Sequence, residues 1–181
     1  AIEAIHKSLS FQSPESALSK LNAAQGDWVK LPPDAIRVIK LARAMMIASN
    51  SLFNPTVGGK MVALGVLPDH GLKRTTLIGS ANDIEINRGR VRLKRGILLT
   101  LDGIAKGYAV DRAVASLKQN SIKAGSVNAG GDLRVFGDMS TPIYRPEADG
   151  SLKPIGLLSS GALCSSAQHG RKDDRFPGLI T

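Results

Sequence analysis

One short stretch carries an acid, a glycine and a lysine at the junction of two predicted elements. An apolar run at residues 97–101 is typical of a buried β-strand, and it leads into a turn at Asp102-Gly103. A helical pattern follows, with apolar residues at helical spacing from Val110 to Leu117. The first turn of a helix has unpaired N–H groups and partial positive charge, and Lys106 adds a full charge there. The stretch therefore indicates a pocket for a phosphate or pyrophosphate, although such junctions are more often plain connections.

Two glycine segments are further candidates for close approach between the backbone and a ligand. In the first, Asn54-Pro55 forces a turn shortly before Gly58-Gly59. In the second, Gly130-Gly131 separates two strand-like runs, and Asp132 follows where it could hydrogen-bond a ligand. The alternative for the second segment is an ordinary glycine turn with an exposed acid.

Several other chemistries lack the residues that they need. Cysteine and histidine do not occur at the spacing of a zinc site, and the 3 histidines lie in no recognisable hydrolase motif. His70 follows Asp69 in a loop, which we interpret as a solvated surface pair. The single cysteine, Cys164, excludes an internal disulfide but does not indicate a compartment.

Composition indicates a globular protein with excess positive charge. The 181 residues are 43% hydrophobic and 22% charged, with no apolar run long enough to cross a membrane. The net charge is +9, yet Lys and Arg are spread along the chain, with one dense cluster at Arg88–Arg95 whose alternation is typical of a solvated strand face. We predict no nucleic-acid partner, because an anionic small ligand or an acidic surface accounts for the charge equally well. Since the chain begins inside a helical pattern, we expect its N-terminus to have been cut away.

The remaining patterns predict helices mainly in the first half and strands mainly in the second. Helices are predicted at residues 1–9, at 16–22 and from Pro32 onward, the last with Val38, Leu41, Ala42, Met45 and Ala48 on its apolar face. Strands are predicted at 28–31, 75–78 and 97–101, in a hairpin of 84–87 with 91–94, on both sides of Gly130-Gly131, and within 155–166. Residues 139–153 are predicted to be a long loop or a poorly ordered strand connection, 168–175 a charged segment and 176–181 the start of another element.

Three motifs occur in a fixed order along the chain. They are FNPTVGG at residues 53–59, LDGIAKGYAVDRA at 101–113 and NAGGDLRVFG at 128–137. Together they resemble the ApbE family, the FAD:protein FMN transferases. SFQSPESALSKLN at 10–22 and SSGALCSSA at 159–167 resemble the family's Ser-x-Leu-Ser-x-Leu-Asn and Ala-x-x-Ser segments. Because the resemblance covers nearly the whole chain, residues 1–181 are predicted to form one ApbE-like domain, truncated at both ends.

The resemblance implies an α+β fold, with a mixed or antiparallel sheet and packed helices. It also implies an enzyme that uses Mg²⁺ to cleave the FAD pyrophosphate, releases AMP and attaches FMN to a Thr or Ser of an acceptor flavoprotein. One implied metal contact is the backbone carbonyl of Gly103, and Thr100 stands where many relatives carry an acid. The residues implied to contact FAD are Leu52, Phe53, Asn54, Thr100, Lys106, Asn128, Gly130, Gly131 and Asp132.

The chain departs from the family pattern near its end. Gly178-Leu179-Ile180-Thr181 stands where a His-Ile-Ile-Asp-Pro-like segment begins in relatives. The later Asp-x-x-Asp-Thr-like segment supplies metal ligands and the catalytic acid, so that acid is expected beyond Thr181 and the catalytic residue here is unknown. The alternative is an FAD-binding relative without transferase activity. The resemblance further implies a periplasmic, exported protein, with membrane attachment as an inner-membrane lipoprotein only through an anchor outside this chain.

Overall fold

The computed structural model describes residues 2–72, 75–147 and 149–164. The chain divides into two compact units, an N-terminal unit of Glu3–Ala105 and a C-terminal unit that runs from Lys106 onward and includes Ile2. Helices and antiparallel sheets occur as predicted, so the α+β class is confirmed. The extent of one domain over residues 1–181 stays a prediction, and the elements expected at 165–181 lie outside the described residues.

The N-terminal unit is mostly helical and contains one small sheet. Ser16 begins the second helix, because its side chain accepts a hydrogen bond from the Ser19 N–H at 3.0 Å, and the third helix begins at a proline. The sheet is antiparallel, in the order β1-β3-β2. Its elements are α1 (Ile2–Leu9), α2 (Ala17–Ala23), β1 (Val29–Lys30), α3 (Pro33–Ala48), α4 (Gly58–Ala63), a 3₁₀ turn (Ala81–Asp83), β2 (Ile84–Asn87) and β3 (Arg90–Leu93).

The core face of helix α3 only partly matches the one predicted: Val38 and Ala42 are buried as expected, and the other predicted residues are not. Leu41 and Met45 are each 45% exposed. Apolar residues surround much of this helix, so their period alone permits more than one core face. The face that packs contains small residues, which allow close approach of neighbouring elements. It is formed by Ala35, Val38, Ile39, Ala42 and Met46.

Two segments of this unit that are predicted to be strands do not form regular strands in the structure. Residues 75–78 are irregular, and Leu77 and Ile78 are nearly half exposed. Residues 97–101 are buried as expected, apart from half-buried Thr100, but form only an isolated parallel bridge between Val57 and Leu98. The N–H and C=O groups of a buried backbone need hydrogen-bond partners. At residues 97–101, other segments of the chain supply them.

The C-terminal unit combines one long helix with two antiparallel sheets. Helix α5 (Ala105–Gln119) begins one residue before the unit, and the strands are β4 (Gly125–Ala129), β5 (Asp132–Phe136), β6 (Ser140–Pro146), β7 (Leu152–Ser159) and β8 (Ala162–Cys164). One sheet has the order β4-β5-β8, and β6 pairs with β7 in the other.

The predicted loop at residues 139–153 is wrong, because most of it forms β6 and the start of β7. Pro142 and Pro146 suggested a loop, since proline cannot donate to a sheet ladder. In a sheet of two strands, however, both strands are edges and tolerate proline. Within the described part of the chain, no helix has the length and hydropathy that a membrane crossing requires.

Candidate functional site

The buried run before α5 is fixed by the side chain of Asn22. Its Nδ2 donates to the Leu99 carbonyl at 2.9 Å, and its Oδ1 accepts from the Leu99 N–H at 2.8 Å. Asn22 is 2% exposed and Leu99 is fully buried. The carboxamide therefore takes the place of a neighbouring strand at this residue, which explains why a regular strand is not required.

The opposite flank of the same run is held by the loop that follows Asn54. The Thr100 N–H donates to the Pro55 carbonyl at 2.8 Å, and the Gly58 N–H donates to the Leu98 carbonyl at 3.1 Å. A Cβ at Gly58 would lie 2.6 Å from that Leu98 oxygen. The glycine therefore permits close approach to the protein's own backbone, and the loop and the run form one framework.

Asn54 uses its carboxamide inside its own loop. Its Oδ1 accepts from the Thr56 N–H at 2.9 Å and from the Thr56 hydroxyl at 2.6 Å, while its Nδ2 donates to the Gly79 carbonyl at 3.3 Å. The Gly79 N–H in turn donates to the Thr56 hydroxyl at 2.8 Å, and Thr56 is fully buried. Asn54 thus shapes the loop, and its contact with a nucleotide stays a prediction.

Two predicted contact residues from different motifs lie against each other. A Cβ built on Gly103 would be 3.1 Å from Cε2 of Phe53, so the edge of the aromatic ring lies close to this glycine. Leu52, next to Phe53, is 92% exposed. The structure therefore brings Phe53 and Gly103 together, and the contact of either residue with a ligand stays a prediction.

The start of α5 is open to solvent. The N–H groups of Ile104 and Ala105 both donate to the carbonyl of the buried Leu101, at 2.9 and 2.8 Å, which closes the turn before the helix. Asp102, Gly103 and Lys106 are all exposed. Because these two N–H groups are already bonded, the attraction for an anion comes from the partial positive charge of a helix start and from the Lys106 ammonium.

The second glycine segment forms a tight turn between β4 and β5, as predicted. Ala129 pairs with Asp132 across it, with φ of 63° at Gly130 and 98° at Gly131. The Asn128 Oδ1 accepts from the Gly131 N–H at 3.1 Å. A Cβ at Gly130 would meet no atom within 4 Å, so this side of the turn is open.

Asp132 is buried at 7% exposure, so the alternative of an exposed acid is wrong. Its Oδ1 accepts a hydrogen bond from the Sγ of Cys164 at 3.0 Å. This hydrogen bond, together with burial and the carboxylate charge, raises the pKa of the Cys164 thiol, while the charge of Lys106 acts in the opposite direction. Lys106, Asp132 and Cys164 therefore share one electrostatic environment. Sequence reasoning missed Cys164, because only the pairing of β5 with β8 places it opposite Asp132.

His70 is not the solvated partner of Asp69 that we predicted. Its Nε2 lies 2.6 Å from the Phe11 carbonyl oxygen, and the two rings stack with centroids 5.9 Å apart. The Asp69 Oδ1 instead accepts from the Gly71 N–H at 2.9 Å. His70 also lines a cavity of about 260 Å³, most of whose other lining side chains are apolar.

The candidate residues fall in both units. Leu52, Phe53, Asn54, Thr100 and Gly103 belong to the N-terminal unit, and Lys106, Asn128, Gly130, Gly131 and Asp132 belong to the C-terminal unit. Among the described residues, no group of three or more His, Cys, Asp or Glu side chains could hold a metal ion.

These features define an α+β protein in which Lys106 is exposed at the start of a long helix. The model of the ApbE family matches residues 1–174, and the chain belongs to that family. It is 28% identical over 176 residues to an FAD:protein FMN transferase of Rhodobacter capsulatus, covering 87% of this chain and 34% of the relative. It is 28% identical over 160 residues to one of Klebsiella pneumoniae, covering 78% and 48%.

Solved structures agree with this assignment. An ApbE protein from Thermotoga maritima matches with a TM-score of 0.72 at 28% identity, covering 88% of this chain and 57% of that one. The flavinyl transferase ApbE of Pseudomonas stutzeri, in its apo form, shares the fold with a TM-score of 0.71 at 21% identity, covering 86% and 56%. The chain thus spans half or less of these curated relatives and somewhat more than half of these solved ones.

Proposed function

We propose that this protein acts in FAD:protein FMN transfer. The exposed start of α5 carries the proposal, because Lys106 presents a positive charge there, shortly after a run whose backbone is held by Asn22. The reaction class is inferred from the two curated relatives, which are FAD:protein FMN transferases. A flavin-binding protein that holds FAD without transferring FMN is the second candidate, because the exposed Lys106 accounts for binding and not by itself for transfer.

The proposed reaction is a phosphoryl transfer. The hydroxyl oxygen of an acceptor Thr or Ser bonds to the phosphorus of the FMN half of FAD, and the bond from that phosphorus to the bridging oxygen breaks. The bridging oxygen leaves with AMP, and the hydroxyl proton passes to a base. Such reactions depend mainly on positioning and on positive charge at the phosphates.

The chain's own residues would supply binding and orientation. In this proposal Lys106 holds the diphosphate, and the turn at Gly130-Gly131 in the same unit lines the flavin. Contacts of Leu52 and Phe53 with the nucleotide stay predictions from the family resemblance. Asn22 fixes the backbone that leads to Asp102-Gly103, so that this turn is positioned before FAD arrives.

The proposal includes Mg²⁺, which would neutralise the diphosphate when bound. The Gly103 carbonyl and the neighbouring Asp102 carboxylate are oxygen donors of the kind that Mg²⁺ accepts. Among the described residues, these two donors cannot complete the coordination of the ion. Bound Mg²⁺ usually retains several water ligands and also binds phosphate oxygens of the substrate. We also propose export to the periplasm and an acceptor protein there.

A labelling experiment separates the two candidates. The protein is incubated with FAD, Mg²⁺ and an acceptor protein, and the mixture is analysed on a denaturing gel under ultraviolet light. A fluorescent acceptor band that requires FAD supports the transferase. FAD that co-elutes with the protein, with no labelled acceptor, contradicts the transferase and supports the flavin-binding candidate.

A further inference from the structure

The small sheet of the N-terminal unit carries a row of cations on its exposed face. Arg90 on the central strand pairs in register with Lys30 on one side and with Asn87 on the other. All three residues are exposed, whereas Val91, next to Arg90 in sequence, is buried on the opposite face. Like charges directly opposite each other destabilise a strand pair, so Lys30 and Arg90 cost stability here.

The next row of the same face is neutralised internally. The Arg92 guanidinium makes two contacts with one Glu85 oxygen, at 3.1 and 2.8 Å, and one with the other at 2.7 Å. Its Cζ also lies 4.7 Å from the centre of the Trp28 ring. By contrast, no ion pair between described residues includes Lys30, Arg88 or Arg90. On this face of the sheet, the positive charge without an ion-pair partner therefore lies on these three side chains.

Arg88 occupies a backbone position that disfavours arginine. It is the first residue of the two-residue turn between β2 and β3, with φ of 42°, and Gly89 follows with φ of 81°. Such turns favour Asn, Asp or Gly at the first position, because left-handed backbone is costly for residues with long side chains. The turn thus places a third cation beside Arg90 at the expense of local stability.

We propose that Lys30, Arg88 and Arg90 dock an acidic segment of the acceptor protein; this rests on the proposed transferase function. Together with Asn87 and Trp28, the two arginines line an open cavity of about 380 Å³, and Trp28 is 37% exposed. Tryptophan and arginine are the residues that most often dominate protein interfaces. Three cations in one short row fit a few carboxylates, whereas tight nucleic-acid binding uses roughly six to ten phosphate contacts.

Charge reversal at this face tests the proposal. The variant Arg88→Glu/Arg90→Glu is compared with Arg37→Glu/Lys40→Glu, which changes the net charge equally on the exposed side of α3. Acceptor labelling is measured against acceptor and FAD concentrations. The first variant should raise the KM for the acceptor about tenfold or more, with kcat and the KM for FAD unchanged. An unchanged acceptor KM, or an equal effect of the α3 variant, would overturn the docking surface.

A binding assay keeps this test independent of transferase activity. Fluorescence anisotropy is measured with a labelled peptide of alternating aspartate and serine, with an all-serine peptide, with a single-stranded oligonucleotide and with anionic phosphatidylglycerol vesicles. The aspartate peptide should bind the native protein and lose about tenfold or more in affinity in the Arg88→Glu/Arg90→Glu variant. Preference for the oligonucleotide or the vesicles overturns the proposal. If no acceptor is labelled, the transferase function fails while this assay still decides the docking surface.

Thermal stability distinguishes docking from a structural role. Arg90→Glu places a carboxylate opposite Lys30, so its melting temperature should equal or exceed that of the native protein while peptide binding falls. A lower melting temperature together with lost binding would indicate that Arg90 supports the sheet, and would overturn its assignment as a docking residue.

Discussion

The side-chain amide of Asn22 makes hydrogen bonds to both backbone polar groups of Leu99, a residue 77 positions away in sequence. This pairing ties α2 to the run that leads into α5. Because the run ends one residue before Asp102-Gly103, the geometry of the helix entrance depends on a residue that would not itself touch a ligand.

Replacing Asn22 with alanine should destabilise the protein by about 2–4 kcal/mol, since it leaves a buried N–H and a buried carbonyl without partners. Urea unfolding followed by circular dichroism measures the change. Asn120→Ala is the matched control, because its Nδ2 bond to the Ser116 carbonyl is exposed and should be worth under about 0.5 kcal/mol. An equal decrease in the free energy of unfolding of the two variants would contradict a stabilising role for the Asn22–Leu99 hydrogen bonds.

Replacing Gly58 and replacing Gly107 with alanine should have opposite effects on the stability of the protein. A Cβ at Gly58 would lie 2.6 Å from the Leu98 oxygen, which is backbone and cannot move aside cheaply, so Gly58→Ala should cost about 2 kcal/mol or more. A Cβ at Gly107 in α5 would meet no atom within 4 Å, and Gly107→Ala should stabilise by about 0.5–1 kcal/mol. Melting curves for both variants test the packing described here, and a stable Gly58→Ala variant would contradict it.

The thiol of Cys164 should show the influence of Asp132 in its pH dependence. The raised pKa means that the folded state favours the neutral thiol. The resulting stabilisation is complete below the pKa of the unfolded chain and is lost as the pH rises through the higher folded pKa. Asp132→Asn should therefore shift the alkylation of Cys164 by iodoacetamide to lower pH. A shift to higher pH, in a variant with native circular dichroism, would contradict this account.

Local signals in the sequence were sufficient for much of the fold. Ser16 was placed at the start of α2, and the hairpin of β2 with β3 and the turn at Gly130-Gly131 were predicted, because each depends on neighbouring residues. The helix that carries Lys106 was also predicted, although its start is fixed from elsewhere.

Long-range relationships could not be predicted in the same way. The apolar run at 97–101 predicts a regular strand. In the structure its backbone bonds to the side chain of Asn22 in α2, and no local pattern in the sequence identifies such a partner. Likewise, the burial of Asp132 depends on β8, whose pairing with β5 has no local signal. The proline-containing strand β6 was missed because its tolerance for proline follows from its being an edge.

The central claim is that the entrance of α5 binds the diphosphate of FAD, and Lys106→Ala tests it most directly. The variant is compared with Lys123→Ala, which removes an equal charge from an exposed site beyond the C-terminal end of α5. FAD binding is measured by titration calorimetry. We predict that Lys106→Ala weakens FAD binding about tenfold or more, through loss of a charge-assisted hydrogen bond, and that Lys123→Ala leaves it unchanged. FAD affinity equal to that of the native protein in a folded Lys106→Ala variant would contradict the account.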